Sequence, residues 1–169
     1  MAVTDLHFVT GALQPVKRGI RFLGGASDDA VQIDAAGAAM GNVSTKGTIA
    51  FWCMVPDDTG TYTAVSFGDA DVVEYLQVSV EAGTVQLVLV DATTVHIDVN
   101  TPAGSIKPHK WHHVAVVQDG VSPKIYVDGV EQTLSWTTAV SITSWFKDCV
   151  NLDSGSIGAA EMDGAGNLT

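Results

Sequence analysis

Residues Trp111–Leu134 read WHHVAVVQDGVSPKIYVDGVEQTL. Side chains alternate along the first run: Trp111, His113, Ala115 and Val117 fall on one face, His112, Val114, Val116 and Gln118 on the other. Asp119-Gly120 breaks the run, Lys124–Val127 resumes it, and Asp128-Gly129 turns the chain again into Val130–Leu134. Asp-Gly between alternating runs predicts a hairpin, because a tight primed turn needs positive φ, which Gly and Asp tolerate. The stretch therefore reads as three short antiparallel strands.

The same period continues outward from it. Tyr62–Phe67, Val72–Val80, Thr84–Val90 and Thr94–Val99 are four more strand-like runs, the last three separated by Ala82-Gly83 and Asp91-Ala92. Leu76, Val78 and Val80, then Val85, Leu87 and Leu89, then Val95, Ile97 and Val99 form predicted inward-facing sets. Thr48–Val55 is apolar on both faces, which predicts an interior strand of two packed sheets. Gly19–Asp34 reads as strand, turn, strand, and Ala35–Thr45 as a loop. No segment carries convincing helical spacing, and no solenoid or propeller repeat is present. Short strands at regular intervals predict an all-β, antiparallel two-sheet sandwich rather than a parallel α/β sheet.

Composition agrees with one such domain. The chain has 169 residues, 46% of them hydrophobic and 16% charged, enough to bury a sizeable core. No apolar run approaches the ~20 residues that span a bilayer. The N-terminus has no apolar h-region, so no signal peptide is visible, and the expected origin is the cytosol, a particle assembled there, or a processed secreted chain. A net charge of -11 argues against a phosphate-binding groove, so no nucleic-acid partner is expected. That charge is compatible with calcium. Cys53 and Cys149 belong to no CxxC pair, which speaks against zinc. Cys53 lies in an apolar run and reads as a buried small hydrophobe; whether the two pair is open.

The 111–134 string resembles the central meander of laminin G-like domains, concanavalin A-like jelly rolls that include the pentraxins. Gly19–Asp34 resembles their opening hairpin, Thr48–Val55 their Thr-aromatic-Trp strand, and Ser156-Ile157-Gly158-Ala159-Ala160 their SIGA-type strand. The resemblance covers residues 19–167 and implies a jelly-roll sandwich over 19–169 behind an N-terminal arm, 1–18. In the family an acidic, glycine-rich loop then leads into a last strand with an Asp-Glu-aromatic pattern. The loop Glu161–Asn167 is present, but that last strand is not seen before Thr169. Three readings stay open: a truncated sequence, a strand supplied by another chain, or residues 1–18 filling the gap.

Relatives of this fold include glucanases, and retaining glycosidases need two carboxylates about 5 Å apart. None of Glu74, Glu81, Glu131 and Glu161 belongs to the Glu-x-Asp-x-x-Glu strand that supplies them, so no enzymatic activity is expected. His112 and His113 are adjacent strand positions whose side chains diverge and cannot converge on one ion; one is expected to be packed and the other partly solvated. By resemblance to the pentraxin calcium loop, Glu161 and Asp163 would supply carboxylates, Met162 a carbonyl, and Asp71 (or Asp69) a further carboxylate, with Ca2+ as the implied cofactor. The pentraxin disulfide is not reproduced, since His113 stands about where the partner of Cys53 would be. Sugar binding in this architecture stacks an aromatic on a pyranose, and Tyr62, Trp136 and Trp145 are the aromatics nearest predicted loops. A Trp in this Ser/Thr-rich segment serves equally well as a plug for the sandwich.

The expected function is a non-catalytic recognition or adhesion module for carbohydrate or a protein surface. The alternative is a structural virion protein, a capsid decoration or tail component of a bacteriophage without a small ligand. Its partners would then be further copies of the chain or capsid proteins, and its place the virion surface or the extracellular space.

Overall fold

Asp128 (φ 52°) and Gly129 (φ 81°) both adopt left-handed backbone, the two-residue primed turn that the Asp-Gly pair predicts. The structure, a computed structural model, describes residues 19–22, 30–41, 44–69, 71, 73–91, 94–149 and 151–160. Its elements in chain order are β1 (Val31–Gln32), α1 (Asp34–Met40), β2 (Gly47–Cys53), β3 (Thr61–Gly68), β4 (Tyr75–Glu81) and β5 (Thr84–Asp91). Then come β6 (Thr94–Asn100), β7 (His112–Gln118), β8 (Pro123–Val127), β9 (Val130–Glu131), β10 (Ser135–Ala139), a 3-10 turn (Phe146–Asp148) and β11 (Ser154–Ile157). They form two antiparallel sheets, β1-β11-β3-β4-β5-β6-β10 and β2-β7-β8-β9. This is the antiparallel two-sheet sandwich read from the period-two pattern, with the jelly-roll character that the family resemblance implies.

The core lies between the sheets. Leu76, Val78, Val80, Val85, Leu87, Leu89, Ile97 and Val99 face inward and are buried. Val95 departs from that set, being exposed near the open end of β6. In the 111–134 region the face carrying His112, Val114, Val116 and Gln118 is the buried one. Gln118 is held there by hydrogen bonds: its Nε2 donates to the carbonyls of Ile142 (3.0 Å) and Ser144 (3.1 Å), pinning the approach to the 3-10 turn. Phe146 then packs edge-on against both Phe67 and Trp145.

Four local expectations are corrected. Ala35–Thr45 is not all loop, because Asp34–Met40 forms α1. Its four alanines have the highest helix propensity, yet seven residues are too few to show a helical period. Gly37 seats this helix: a Cβ there would stand 2.6 Å from the Ser154 carbonyl oxygen. Secondly, β2 is not an interior strand among the described residues. It pairs with β7 alone, and its outer face leaves Trp52 exposed. Its inward residues Ile49 and Phe51 are only half-buried. They border an apolar gap of about 130 Å³ with Ala64, Val65 and Ile157. Thirdly, Asp119-Gly120 is not a two-residue turn. Gln118 pairs with Pro123, so four residues bridge β7 and β8, held by Asp119 Oδ1 accepting from the N–H groups of Val121 (2.8 Å) and Ser122 (3.2 Å). Lastly, Val130–Leu134 is a strand only over Val130–Glu131. The arm 1–18 and the loop after Ala160 lie outside the described residues. Cys53 and Cys149 are both free thiols, Cys149 buried and Cys53 half-buried.

Candidate functional site

The early end of β9 creates the site. After pairing Val130 with Val127 and Glu131 with Tyr126, the chain leaves the four-stranded sheet. A last backbone bond, from Gln132 N–H to the Ile125 carbonyl (2.9 Å), precedes its crossing to the seven-stranded sheet as β10. This departure opens a groove of about 480 Å³ between Ser122–Lys124 and Glu131–Leu134, with Trp136 in its wall. That volume lies within the ~300–1,000 Å³ of small-ligand clefts.

Register explains why Trp136 is available there. It sits opposite Val99, which sits opposite Leu87, which sits opposite Val78. Side chains directly opposite share a face, so Trp136 belongs to the inward face. Val78, Leu87 and Val99 are buried, but β10 is the edge strand, and Trp136 stays 37% exposed. A large aromatic at the rim of a polar groove can stack on a ligand while its other face packs on the protein.

Each charged group of the groove has a hydrogen-bonding partner just outside it. Lys124 Nζ donates to Asp119 Oδ2 at 2.8 Å. That hydrogen bond, with those from the Val121 and Ser122 N–H groups, holds the Asp119 carboxyl down at about 2. Lys124 in turn holds its proton more tightly, chiefly through Asp119, with Glu131 adding to the effect. Glu131 Oε2 accepts from the Tyr126 hydroxyl at 3.0 Å. Gln132 is engaged as well, its Nε2 donating to the Val130 carbonyl (3.0 Å) and its Oε1 accepting from the Ser105 hydroxyl (3.3 Å).

The three aromatics singled out from sequence do not meet. Tyr62 lies on β3, four strands from Trp136 across the sheet, roughly 19 Å at the usual strand spacing. Its hydroxyl donates to Asp57 Oδ2 at 2.6 Å, a bond that pushes the phenol up to about 12 and lowers the Asp57 carboxyl. Trp145 is a correction to the ligand-binding set. It is 1% exposed and belongs to the core, with its indole nitrogen 3.0 Å from where a Cβ on Gly47 would stand. An indole this enclosed has no face to offer a ligand; it plugs the sandwich. Of the three, it is Trp136 that lines this groove.

Of the calcium set, Asp71 is exposed, its N–H donating to Asp69 Oδ1 at 2.7 Å, while Glu161 and Asp163 lie outside the described residues. No group of three or more His, Cys, Asp or Glu side chains converges among the described residues. The histidines divide as their adjacency predicts. His112 is buried, and His113 is partly exposed and packs edge-on against Trp52 with ring centres 5.3 Å apart. The exposed Trp52 was concealed in sequence by the apolar run around it.

Residues 24–164 match the family model described as the concanavalin A-like lectin/glucanases superfamily. No sequence match is found among curated proteins. Among solved structures, the chain is similar to the CBM40 of the Ruminococcus gnavus IT-sialidase, with 16% identity and a TM-score of 0.60, covering 79% of this chain and 73% of that one. The same module bound to α2,3-sialyllactose gives 14% identity and a TM-score of 0.59 over 73% and 68% of the two chains. The leech intramolecular trans-sialidase gives 13% identity and a TM-score of 0.64 over 83% of this chain but only 22% of its own. At such identities the likeness is one of fold.

Proposed function

The chain belongs to the concanavalin A-like lectin/glucanases superfamily, and on that footing we propose that it is a non-catalytic module that binds carbohydrate in the groove beside Trp136. The observation that carries this reading is a 37%-exposed indole in the wall of a 480 Å³ groove otherwise lined mainly by polar side chains. A pyranose has an apolar face and a rim of hydroxyls, and such a groove offers a partner for each. A sialyllactose-bound carbohydrate-binding module of the same fold supports the assignment by analogy of architecture. The described glutamates are dispersed: Glu74 precedes β4, Glu81 is its last residue, and Glu131 lies on β9 in the other sheet.

The test is retention on a panel of immobilised oligosaccharides, followed by titration of any that bind. Trp136→Ala is expected to weaken binding at least tenfold, about 1.4 kcal/mol, whereas Trp52→Ala, on the far edge strand β2 of the other sheet and outside the groove lining, leaves it intact. Undiminished binding by Trp136→Ala would remove the groove from consideration.

A further inference from the structure

We infer that the groove beside Trp136 selects uncharged saccharides and rejects acidic ones, an inference that rests on the carbohydrate reading above. The argument comes from how its charges are arranged. Among the described residues Lys124 is the only cation lining the groove, and its ammonium lies 2.8 Å from Asp119. Glu131 shares the groove lining with Lys124 and adds a weaker attraction, so the group of Lys124, Asp119 and Glu131 carries an excess of negative charge. A sugar carboxylate or sulfate would have to displace Asp119 from Lys124 or sit unpaired beside two like charges. Like charges at such range disfavour the ionised form of either partner.

Both carboxylates already accept hydrogen bonds from the protein. Asp119 accepts from Lys124 and from two backbone N–H groups, and Glu131 accepts from Tyr126. Lys46 lies across Gly120 on the β7–β8 loop and does not line the groove. A net charge of -11 on the whole chain adds a field that slows the approach of anions. What the groove offers a ligand is therefore the Trp136 ring and neutral hydrogen-bonding groups. In this respect the chain would differ from the sialyllactose-binding module that shares its fold.

The experiment uses matched oligosaccharide pairs that differ only by an acidic group, such as lactose and 3′-sialyllactose, or a neutral disaccharide and its sulfated form. Binding is measured at 50 mM and 500 mM NaCl. The expected result is binding by neutral members, with acidic counterparts at least tenfold weaker at low salt and the gap narrowing at high salt as charges are screened. In Glu131→Gln the ratio of neutral to acidic affinity should fall severalfold, because one of the two repelling carboxylates is gone while its hydrogen-bonding shape is kept. Equal or tighter binding of the acidic members overturns the selectivity but leaves the carbohydrate reading standing. If neither member of any pair binds, the carbohydrate reading itself fails, and this inference with it.

Discussion

The His112 ring and the Asp128 carboxylate lock the β8–β9 turn onto the start of β7. His112 Nε2 accepts from the Lys107 N–H at 3.1 Å, which leaves Nδ1–H to donate to Asp128 Oδ2 at 2.8 Å. Asp128 Oδ1 accepts from the His113 N–H at 2.9 Å. A buried imidazole is thus satisfied at both nitrogens, and a residue with φ 52° is held in its turn. Cys53 stands opposite His112 on β2, but burial, with the Asp128 charge adding to it, pushes its thiol up to about 11, so no thiolate faces the imidazole and these contacts serve to hold the turn. Asp128→Ala leaves a buried Nδ1–H without its acceptor and should cost about 2 kcal/mol. Urea unfolding checks this; a midpoint equal to wild type would show that water replaces the carboxylate at no cost.

Acid sensitivity follows from three aspartates. Tyr62 above all, with the Thr59 and Gly60 N–H groups, lowers the Asp57 carboxyl; Lys124 lowers Asp119 to about 2; and the His113 N–H lowers Asp128. Each folded-state value lies below the unfolded one, so each contribution is fully present above the unfolded pKa of about 4. It is lost as pH falls through the folded value. Protonation also relieves the repulsion of a chain with net charge -11, which acts in the opposite sense. The clean readout is therefore a difference. The gap in urea midpoint between wild type and Asp119→Asn should be constant from pH 7 to 5 and shrink between pH 4 and 2. A gap independent of pH would mean that the Lys124 pair contributes nothing to folding.

The two-sheet sandwich was legible because strand burial has a period of two and most turns carry their own chemistry. Ala82-Gly83 and Asp128-Gly129 both adopt positive φ where the sequence places tight turns. The failures have physical causes too. Asp119-Gly120 looks like the same signal, but the Asp119 side chain caps two amides beyond it and lengthens the loop. Thr48–Val55 looks doubly buried because hydrophobicity cannot say whether an outer face has a partner. The groove was only half legible. Trp136 could be named from the sequence, but its walls depend on β9 ending after two residues, which no local pattern announces. Trp136 and Trp145 sit in the same Ser/Thr-rich setting, and only the register of β10 and the pinning of the 3-10 turn separate their roles.

The seat of α1 gives a sharp packing test. Gly37 faces the backbone of β11, and an added Cβ would meet the Ser154 carbonyl oxygen at 2.6 Å. Backbone at that distance cannot rotate aside as a side chain can. On an isolated helix Gly→Ala stabilises by about 1 kcal/mol; here the overlap should reverse the sign. Gly37→Ala is expected to destabilise by about 1–3 kcal/mol, the usual range for overpacking. An Ala variant at or above wild-type stability in thermal unfolding would show that α1 does not sit on β11.

The two tryptophans allow structure and recognition to be separated in one pair of variants. Trp145 is 1% exposed, touches Phe146 edge-on with ring centres 5.2 Å apart, and covers Gly47. Its truncation leaves a large cavity between the sheets, for which about 3–5 kcal/mol is expected. Trp136 is 37% exposed at the sheet edge, so its truncation should cost no more than about 1 kcal/mol. Binding should divide the other way. At a temperature where Trp145→Ala is still folded, it should retain glycan affinity within about threefold, while Trp136→Ala loses at least tenfold. Urea midpoints and glycan titrations on the same preparations give all four values. Loss of binding in both variants, with folding intact, would place the ligand across the sandwich interior rather than in the groove at its edge.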